Sequence, residues 1–447
     1  MKPLLPMLLF TCGCGAAVAQ EQPNIVILFA DDLGWADLGY NNPKFETTNI
    51  DKLKGDGTYF SRAYVSTATS SPSRASLMTG KESLRCGFVR HINDKNIPAD
   101  APREEFQTLD SDPGHMKSRA WLPLEEITYA ERLKELGYYN YFIGKWHLGY
   151  KPYFPTEQGF DAMYGTTEFG HPKSYYQEFF KSDNPFPNAK DDEYLTSLLT
   201  KGATDFISNY DKDQPFLLNL WYYGVHSPLI GRKDLVEKYT EKGYSKKEAI
   251  YAAMVEALDE SVGEVREAIA KKGLADNTIF IFSSDQGGFF SNAPLSEGKR
   301  GGKTLQEGGS RVPFIIYNPK AKSNGTSYDK PIQTLDVYPT LVEFASNGGK
   351  CKDKQINGVS LLPILEGKDI KDRDLFLHRS YEDQNSAIID GDWKLIKYRS
   401  GIIQLFNIKD DIAELNNLKD TYPKRTEQML RRLNKWQAEA TPKELLQ

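Results

Sequence analysis

Three short stretches of this chain are apolar at nearly every position rather than at alternate ones. They are Asn24-Ile25-Val26-Ile27-Leu28-Phe29-Ala30, Phe216-Leu217-Leu218-Asn219-Leu220-Trp221 and Thr278-Ile279-Phe280-Ile281-Phe282. Such runs predict strands buried on both faces, as in a sheet covered by helices on each side. Each run leads into polar residues. Asp31-Asp32-Leu33-Gly34 follows the first, His226 lies soon after the second, and Ser283-Ser284-Asp285-Gln286-Gly287 follows the third. Between the runs the apolar spacing becomes helical. Thr128 and Glu131 form a capping box around a face of Ile127, Ala130 and Leu133, and Gly137 stops that helix. Ser245 and Glu248 form a second box. The helix behind it carries Ile250, Met254, Ala257, Leu258, Val262 and Val265 on one stripe and ends at Gly273. Strand and helix alternating in this way predict an α/β domain.

After residue 365 the pattern shortens. Leu375-Phe376-Leu377-His378, Ala387-Ile388-Ile389, Trp393-Lys394-Leu395-Ile396 and Ile402-Ile403-Gln404-Leu405-Phe406 read as short strands, with Asp390-Gly391 as a hairpin turn. An amphipathic helix over residues 426–438 follows. The organisation expected is a leader over 1–19, a main domain over 20–365 and a C-terminal subdomain over 366–447, built as a small antiparallel sheet with a covering helix. The polar, proline-containing stretch from Arg85 to Pro123 reads as a long loop that walls a pocket.

Composition narrows the class. With 39% hydrophobic and 26% charged residues the chain is an ordinary globular protein. A net charge of −5 excludes a global basic field for nucleic acid, so a polyanionic partner would need a local basic pocket. Lys2, the apolar Leu4-to-Phe10 stretch and Ala17-Val18-Ala19 before Gln20 read as a secretion signal. That stretch is too short to span a bilayer. A secreted protein is expected, and Cys12 leaves a lipoprotein or cell-surface form as the alternative. Of the four cysteines only Cys86 and Cys351 lie beyond the leader, too few for a disulfide framework, and their pairing is open.

The candidate chemistry begins at Ser70-Ser71-Pro72-Ser73-Arg74. Proline suits a first helical turn, so Ser70 lies at a helix N-terminus that favours an anion, with Arg74 one turn on. Asp31, Asp32, Asp285 and Gln286 place oxygen donors at two strand ends, which suits Ca²⁺. Gly144-Lys145-Trp146-His147 follows a strand-like segment over 139–142, so Lys145 and His147 point the same way if the backbone stays extended. His226-Ser227-Pro228 and the glycine-rich basic stretch holding Lys299 and Lys303 complete the set.

Taken in order, these motifs are Asp-Asp-x-Gly, Ser-x-Pro-x-Arg followed by Ala-Ser-Leu-Met-Thr-Gly, Gly-Lys-Trp-His-x-Gly, His-x-Pro, Ser-Asp-Gln-Gly and Lys-to-Glu-Gly-Gly-x-Arg-Val-Pro. Their order resembles that of the formylglycine sulfatases from residue 24 to about 345. Gly391-Asp392-Trp393-Lys394-Leu395-Ile396 and Leu405-Phe406-Asn407-Ile408 extend the likeness into the C-terminal part. The resemblance implies an alkaline-phosphatase-like α/β fold, a mixed sheet sandwiched by helices with a small C-terminal subdomain. It implies hydrolysis of sulfate esters, on a sulfated glycan by family habit. In that family a maturase oxidises the signature residue to formylglycine, whose hydrate is the nucleophile. Carried over, Ser70 is that residue and Asp31, Asp32, Asp285 and Gln286 hold one Ca²⁺ together with it. Arg74, Lys145 and Lys303 neutralise the sulfate, His226 protonates the departing oxygen, and His147 takes a proton as sulfate leaves. Two departures stand out: Gln286 replaces the usual Asn or His, and Lys303 precedes Glu307 by four residues rather than five, which keeps Lys299 open as its substitute. Ser70 itself reads as the native formylglycine precursor of a bacterial serine-type sulfatase, as a Cys→Ser replacement, or as the mark of an inactive homologue; with the leader, the serine implies a bacterial periplasmic enzyme. The competing activities are a phosphatase or phosphodiesterase of the same fold and an inactive sulfated-glycan binding protein. Arg85, Arg90, His91 and His171 are candidates for a carboxylate, sulfate or hydroxyl subsite.

Overall fold

A computed structural model describes residues 22–92, 103–108, 116–181, 184–299 and 304–446. The expected leader, Lys303 and part of the Arg85-to-Pro123 loop lie outside the described residues. Within them the three apolar runs are neighbours in one eight-stranded sheet. Across that sheet the order is Ser327–Tyr328, Thr58–Phe60, Phe314–Tyr317, Thr278–Ser284, Asn24–Ala30, Phe216–Trp221, Tyr139–Gly144 and Ala162–Tyr164. The last five are parallel, and Phe314–Tyr317 is antiparallel to Thr278–Ser284, so the sheet is mixed.

Both faces of the sheet are covered. Val26 and Leu28 pack with residues of the helices Leu195–Asn209, Lys233–Glu241 and Lys246–Lys271. Ile25, Ile27 and Phe29 point the other way, onto the helices Ser70–Thr79, Tyr129–Glu135 and Val337–Ala345. Alternate side chains therefore enter two cores, which is why the runs carry no polar phase. Both capping boxes form, at Thr128 with Glu131 and at Ser245 with Glu248.

The C-terminal sheet is antiparallel in the order Asp374–Tyr381, Gln384–Asp390, Trp393–Tyr398, Ile403–Asn407. One face holds Ile388, Leu395 and Leu405 against Met429, Leu433 and Trp436 of the helix Pro423–Ala440. The other holds Leu375, Leu377, Ile389 and Ile396 against Tyr64 and Leu305 of the main domain. The hairpin turn falls at Gly391 and Asp392, one position later than expected, because Asp390 pairs with Trp393 and Gly391 takes the left-handed φ of 58°. Cys86 and Cys351 are both free thiols.

Asp259, buried on the long helix Lys246–Lys271, accepts hydrogen bonds from the backbone of Asn49 and Ile50 at the start of the helix Thr48–Asp56. Burial raises its pKa from 3.8 to about 6, against the lowering by those N–H groups. The proton is thus favoured in the folded state, and the stability this group contributes is complete below 3.8 and lost as pH rises towards 6. Urea denaturation of the wild type is expected to lose about 2–3 kcal/mol across that window from this group. Asp259→Asn should flatten that slope, and an unchanged slope would reject the assignment.

Candidate active site

Four adjacent parallel strands end at the same edge, and each delivers a functional side chain there. Asp31 and Asp32 follow Asn24–Ala30, and Asp285 and Gln286 follow Thr278–Ser284. Lys145 and His147 follow Tyr139–Gly144, and His226 lies five residues beyond Phe216–Trp221. The signature helix Ser70–Thr79 is buried along its whole length and starts with Ser70 at this edge. Asp32 and His147 both have left-handed backbone, with φ of 63° and 53°. Non-glycine residues are seldom held there without reason, and here the turn directs both into the cluster.

Ser70 Oγ is the meeting point. It donates to Asp285 Oδ2 at 2.8 Å, accepts from Arg74 Nε at 3.2 Å and lies 3.3 Å from His147 Nδ1. Arg74 Nη2 reaches Asp285 Oδ2 at 3.0 Å and Asp31 Oδ1 at 3.5 Å. Lys145 Nζ pairs with Asp31 Oδ2 at 2.6 Å. Gln286 Nε2 donates to Asp32 Oδ1 at 2.7 Å, and Asp32 N–H donates to Asp285 Oδ1 at 3.0 Å. His226 Nε2 lies 3.6 Å from Asp32 Oδ2, and Lys299 Nζ pairs with the same oxygen.

The donors fit a hard divalent cation. Among the described residues Asp31, Asp32 and Asp285 bring ligand oxygens within 4.8 Å of one another, and all three side chains are buried. Asp31 Oδ1 is buried without a hydrogen bond. Three buried carboxylates repel one another unless cations stand among them, and Gln286 can present its carbonyl oxygen once its amide turns over. Ser70, buried at a helix N-terminus and ringed by Asp285, Arg74 and His147, fits the position of a group that carries negative charge during reaction.

Burial depresses the bases of the site. Lys145 is lowered by desolvation, opposed by Asp31. His147 is pushed well below the ordinary imidazole value by burial and then by Lys145, which favours its neutral form. His226 falls to about 3 through burial, opposed by Asp32. Its Nδ1 faces Ser227 O at 2.6 Å, which leaves Nε2 as the atom turned to the site.

Close backbone contacts hold the walls. A Cβ on Gly287 would stand 1.8 Å from Gly308 O, and one on Gly170 would stand 2.4 Å from the His147 ring. Glycine at these points lets the Ser-Asp-Gln-Gly turn meet the Glu-Gly-Gly turn, and brings the loop bearing His171 over His147. The His171 ring then lies parallel to His226, 5.8 Å away.

Two of the subsite candidates serve elsewhere. Arg85 pairs with Glu82, away from Ser70. Arg90 is buried and donates to the backbone of Met116 and Gln107, stapling its own loop. Arg379 and Tyr381 of the C-terminal subdomain, by contrast, approach the site without having been expected there. Arg379 bonds Thr304, and the Tyr381 ring lies 6.5 Å from His91. Nothing in their short strand marks them out.

A family profile described as Sulfatase matches residues 23–347, and one described as N-sulphoglucosamine sulphohydrolase, C-terminal matches residues 301–439. The chain is 31% identical over 393 residues to N-acetylgalactosamine-6-sulfatase of Homo sapiens, covering 82% of this chain and 70% of that protein. It is 30% identical over 409 residues to arylsulfatase A of Homo sapiens, covering 84% and 74%. The crystal structure of Ps i-CgsB in complex with k-i-k-neocarrahexaose superposes with a TM-score of 0.81 at 31% identity, over 95% of this chain and 94% of that one.

Proposed function

The chain belongs to the sulfatase family and is a sulfuric ester hydrolase, and from that premise we propose that it removes O-sulfate from a sulfated glycan. The observation that carries the reading is the convergence on Ser70 Oγ of Asp285, Arg74 and His147, backed by Asp31, Asp32 and Lys145. The glycan is supported by the likeness to a protein solved with a neocarrahexaose and to an N-acetylgalactosamine-6-sulfatase.

In this reading Ser70 is the precursor of formylglycine, made by a separate maturase, and that group supplies a nucleophile that can be regenerated. Asp31, Asp32, Asp285 and Gln286 would hold Ca²⁺, which supplies positive charge to a sulfate oxygen. Arg74 and Lys145 bind the remaining sulfate oxygens, and Lys303 joins them from the basic loop, with Lys299 as its substitute. His147 Nδ1 takes a proton at the Ser70 position. His226 Nε2 gives a proton to the departing sugar oxygen, and a bound anion beside it favours its protonated form. Residues 20–365 carry this chemistry and 366–447 support it. We also read the chain as exported to a bacterial periplasm, and among the described residues no helix is long and apolar enough to cross a membrane.

The test is sulfate release from sulfated oligosaccharides by protein made in its native host, with the Ser70 peptide weighed in parallel. Unmodified serine together with no sulfate release would sink the proposal, and phosphate release exceeding sulfate release would transfer it to a phosphatase. Chelation is expected to lower kcat/KM at least about 10²-fold, the scale of losing one stabiliser of developing charge. Ca²⁺ at a hundred times its Kd should restore activity and add about 2.7 kcal/mol of stability. Indifference of both readouts to Ca²⁺ would remove the metal from the reading.

A further inference from the structure

The strand Asp374–Tyr381 is bonded to the segments that flank the signature helix. His378 N–H donates to Ser66 O, four residues before Ser70, and Ser380 N–H donates to Val89 O beyond the signature helix, each at 3.1 Å. Arg379, between them, donates through Nη1 to Thr304 Oγ1, next in sequence to Lys303. Its guanidinium lies 4.9 Å from the centre of the Tyr381 ring. The Tyr381 ring faces His91, and the next residue, Ile92, donates its N–H to Ser71 Oγ at 3.1 Å while its carbonyl lies 3.4 Å from His147 Nε2. The arginine is therefore tied to neighbours of the nucleophile on one side and of the basic loop on the other.

Arg379 differs from three buried or half-buried cations of the same subdomain. Lys394 sits between Glu307 and Glu414, Arg432 between Asp374 and Asp390, and Arg373 on Asp336. No carboxylate among the described residues forms an ion pair with Arg379, and its Nε is buried without an acceptor. Glu382 on the following turn is exposed and makes no ion pair with it. Burial lowers its pKa to about 10, with Glu382 and Tyr381 opposing. A half-buried guanidinium without a counter-ion is costly, and the cost is relieved by an anion that arrives with the ligand. Its planar donors suit an oxyanion, and the Tyr381 face offers a surface for a sugar ring.

We propose that Arg379, seated over Tyr381, binds a second anionic group of the substrate, a sulfate or carboxylate on the same or an adjoining sugar, while the scissile sulfate occupies the Ser70 pocket. This rests on the reading of the protein as a glycan sulfatase. The enzyme would then discriminate between singly and doubly charged sugars through its C-terminal subdomain.

Arg379→Met removes the charge and keeps the bulk, and Arg379→Lys keeps the charge without the fork. The measurement is kcat/KM for sulfate release from 4-nitrophenyl sulfate, from a disulfated disaccharide, and from a disaccharide with one sulfate and one carboxylate. Charged hydrogen bonds of this kind correspond to about a 10- to 100-fold change. The preference of the wild type for one doubly charged sugar over 4-nitrophenyl sulfate is expected to fall by that factor in Arg379→Met, mainly through KM. Arg379→Lys should recover part of it, and the sugar affected tells sulfate from carboxylate. An equal fall on all three substrates would make Arg379 a strut for Thr304 and overturn the proposal, as would an unchanged preference. A parallel titration of the two disaccharides into Ser70→Ala protein, with and without Arg379→Met, reads binding without turnover. A wild type that releases no sulfate while the titration still depends on Arg379 would reject the functional reading and keep the subsite.

Discussion

Replacing Ser70 by alanine is expected to abolish sulfate release, lowering kcat by at least about 10⁴-fold. The side chain lost is the one on which Asp285, Arg74 and His147 converge, and alanine leaves no atom that could become an aldehyde. The loss should be confined to chemistry. Alanine is a good first-turn residue, and the rest of the signature helix is held by its own buried faces. The melting temperature should therefore stay close to that of the wild type while sulfate release disappears. In wild-type protein from the native host, the peptide carrying Ser70 should be lighter by two hydrogens. Wild-type turnover in the alanine variant would remove Ser70 from the mechanism.

The largest loss of stability is expected at Lys394. Its ammonium is fully buried; it donates to Glu307 Oε1 at 3.0 Å and forms an ion pair with Glu414 Oε1 at 3.1 Å. Glu307 also accepts from Tyr64 OH at 2.9 Å and faces Arg311 at 3.4 Å. Burial alone would raise both carboxyls. In Glu307 the cations Lys394 and Arg311 outweigh it and the pKa is lowered; in Glu414 burial wins, opposed by Lys394 and reinforced by Glu307. Lys394→Met would leave Glu307 with Arg311 alone and Glu414 buried without its cation, a loss of about 3–5 kcal/mol in urea denaturation. A loss under about 1 kcal/mol, the value of an exposed pair, would contradict this. Activity should fall as well. Glu414 Oε2 accepts from Ser296 Oγ and from Glu307 N–H, and so ties together both ends of the stretch that carries Lys299 and Lys303. Converting Glu307 and Glu414 to Gln in the Lys394→Met background should return part of the stability, because no uncompensated charge then remains buried.

Much of the fold and of the candidate site is legible in the residues alone. The three apolar runs have the composition of strands covered on both faces, and they are neighbouring strands whose carboxyl ends share one edge. Thr128 with Glu131 and Ser245 with Glu248 mark two helix starts, because capping is a local interaction that needs no distant partner. The ordered motifs point to the sulfatase family, which the family profile matches over 23–347. Less is legible where a residue type has many uses. Arg85 and Arg90 carry the charge an anion subsite needs, yet one pairs with Glu82 and the other holds backbone carbonyls of its own loop. Lys394 is unremarkable inside a short strand, where its burial is set by partners more than eighty residues before it and twenty after it.

Local pattern by itself determined the strands, the capped helices and the family, and it named the residues that gather around Ser70. Periodicity, capping and motif order are properties of neighbours in the chain, so the sequence carries them directly. Only the tertiary structure decided which cations are matched. Lys145 stands on Asp31, Lys299 on Asp32 and Lys394 between two glutamates, while Arg379 meets no carboxylate among the described residues. Whether a charge is paired depends on which distant segments the fold brings together and on how much water they exclude. Neither quantity is written in the residues on either side of it.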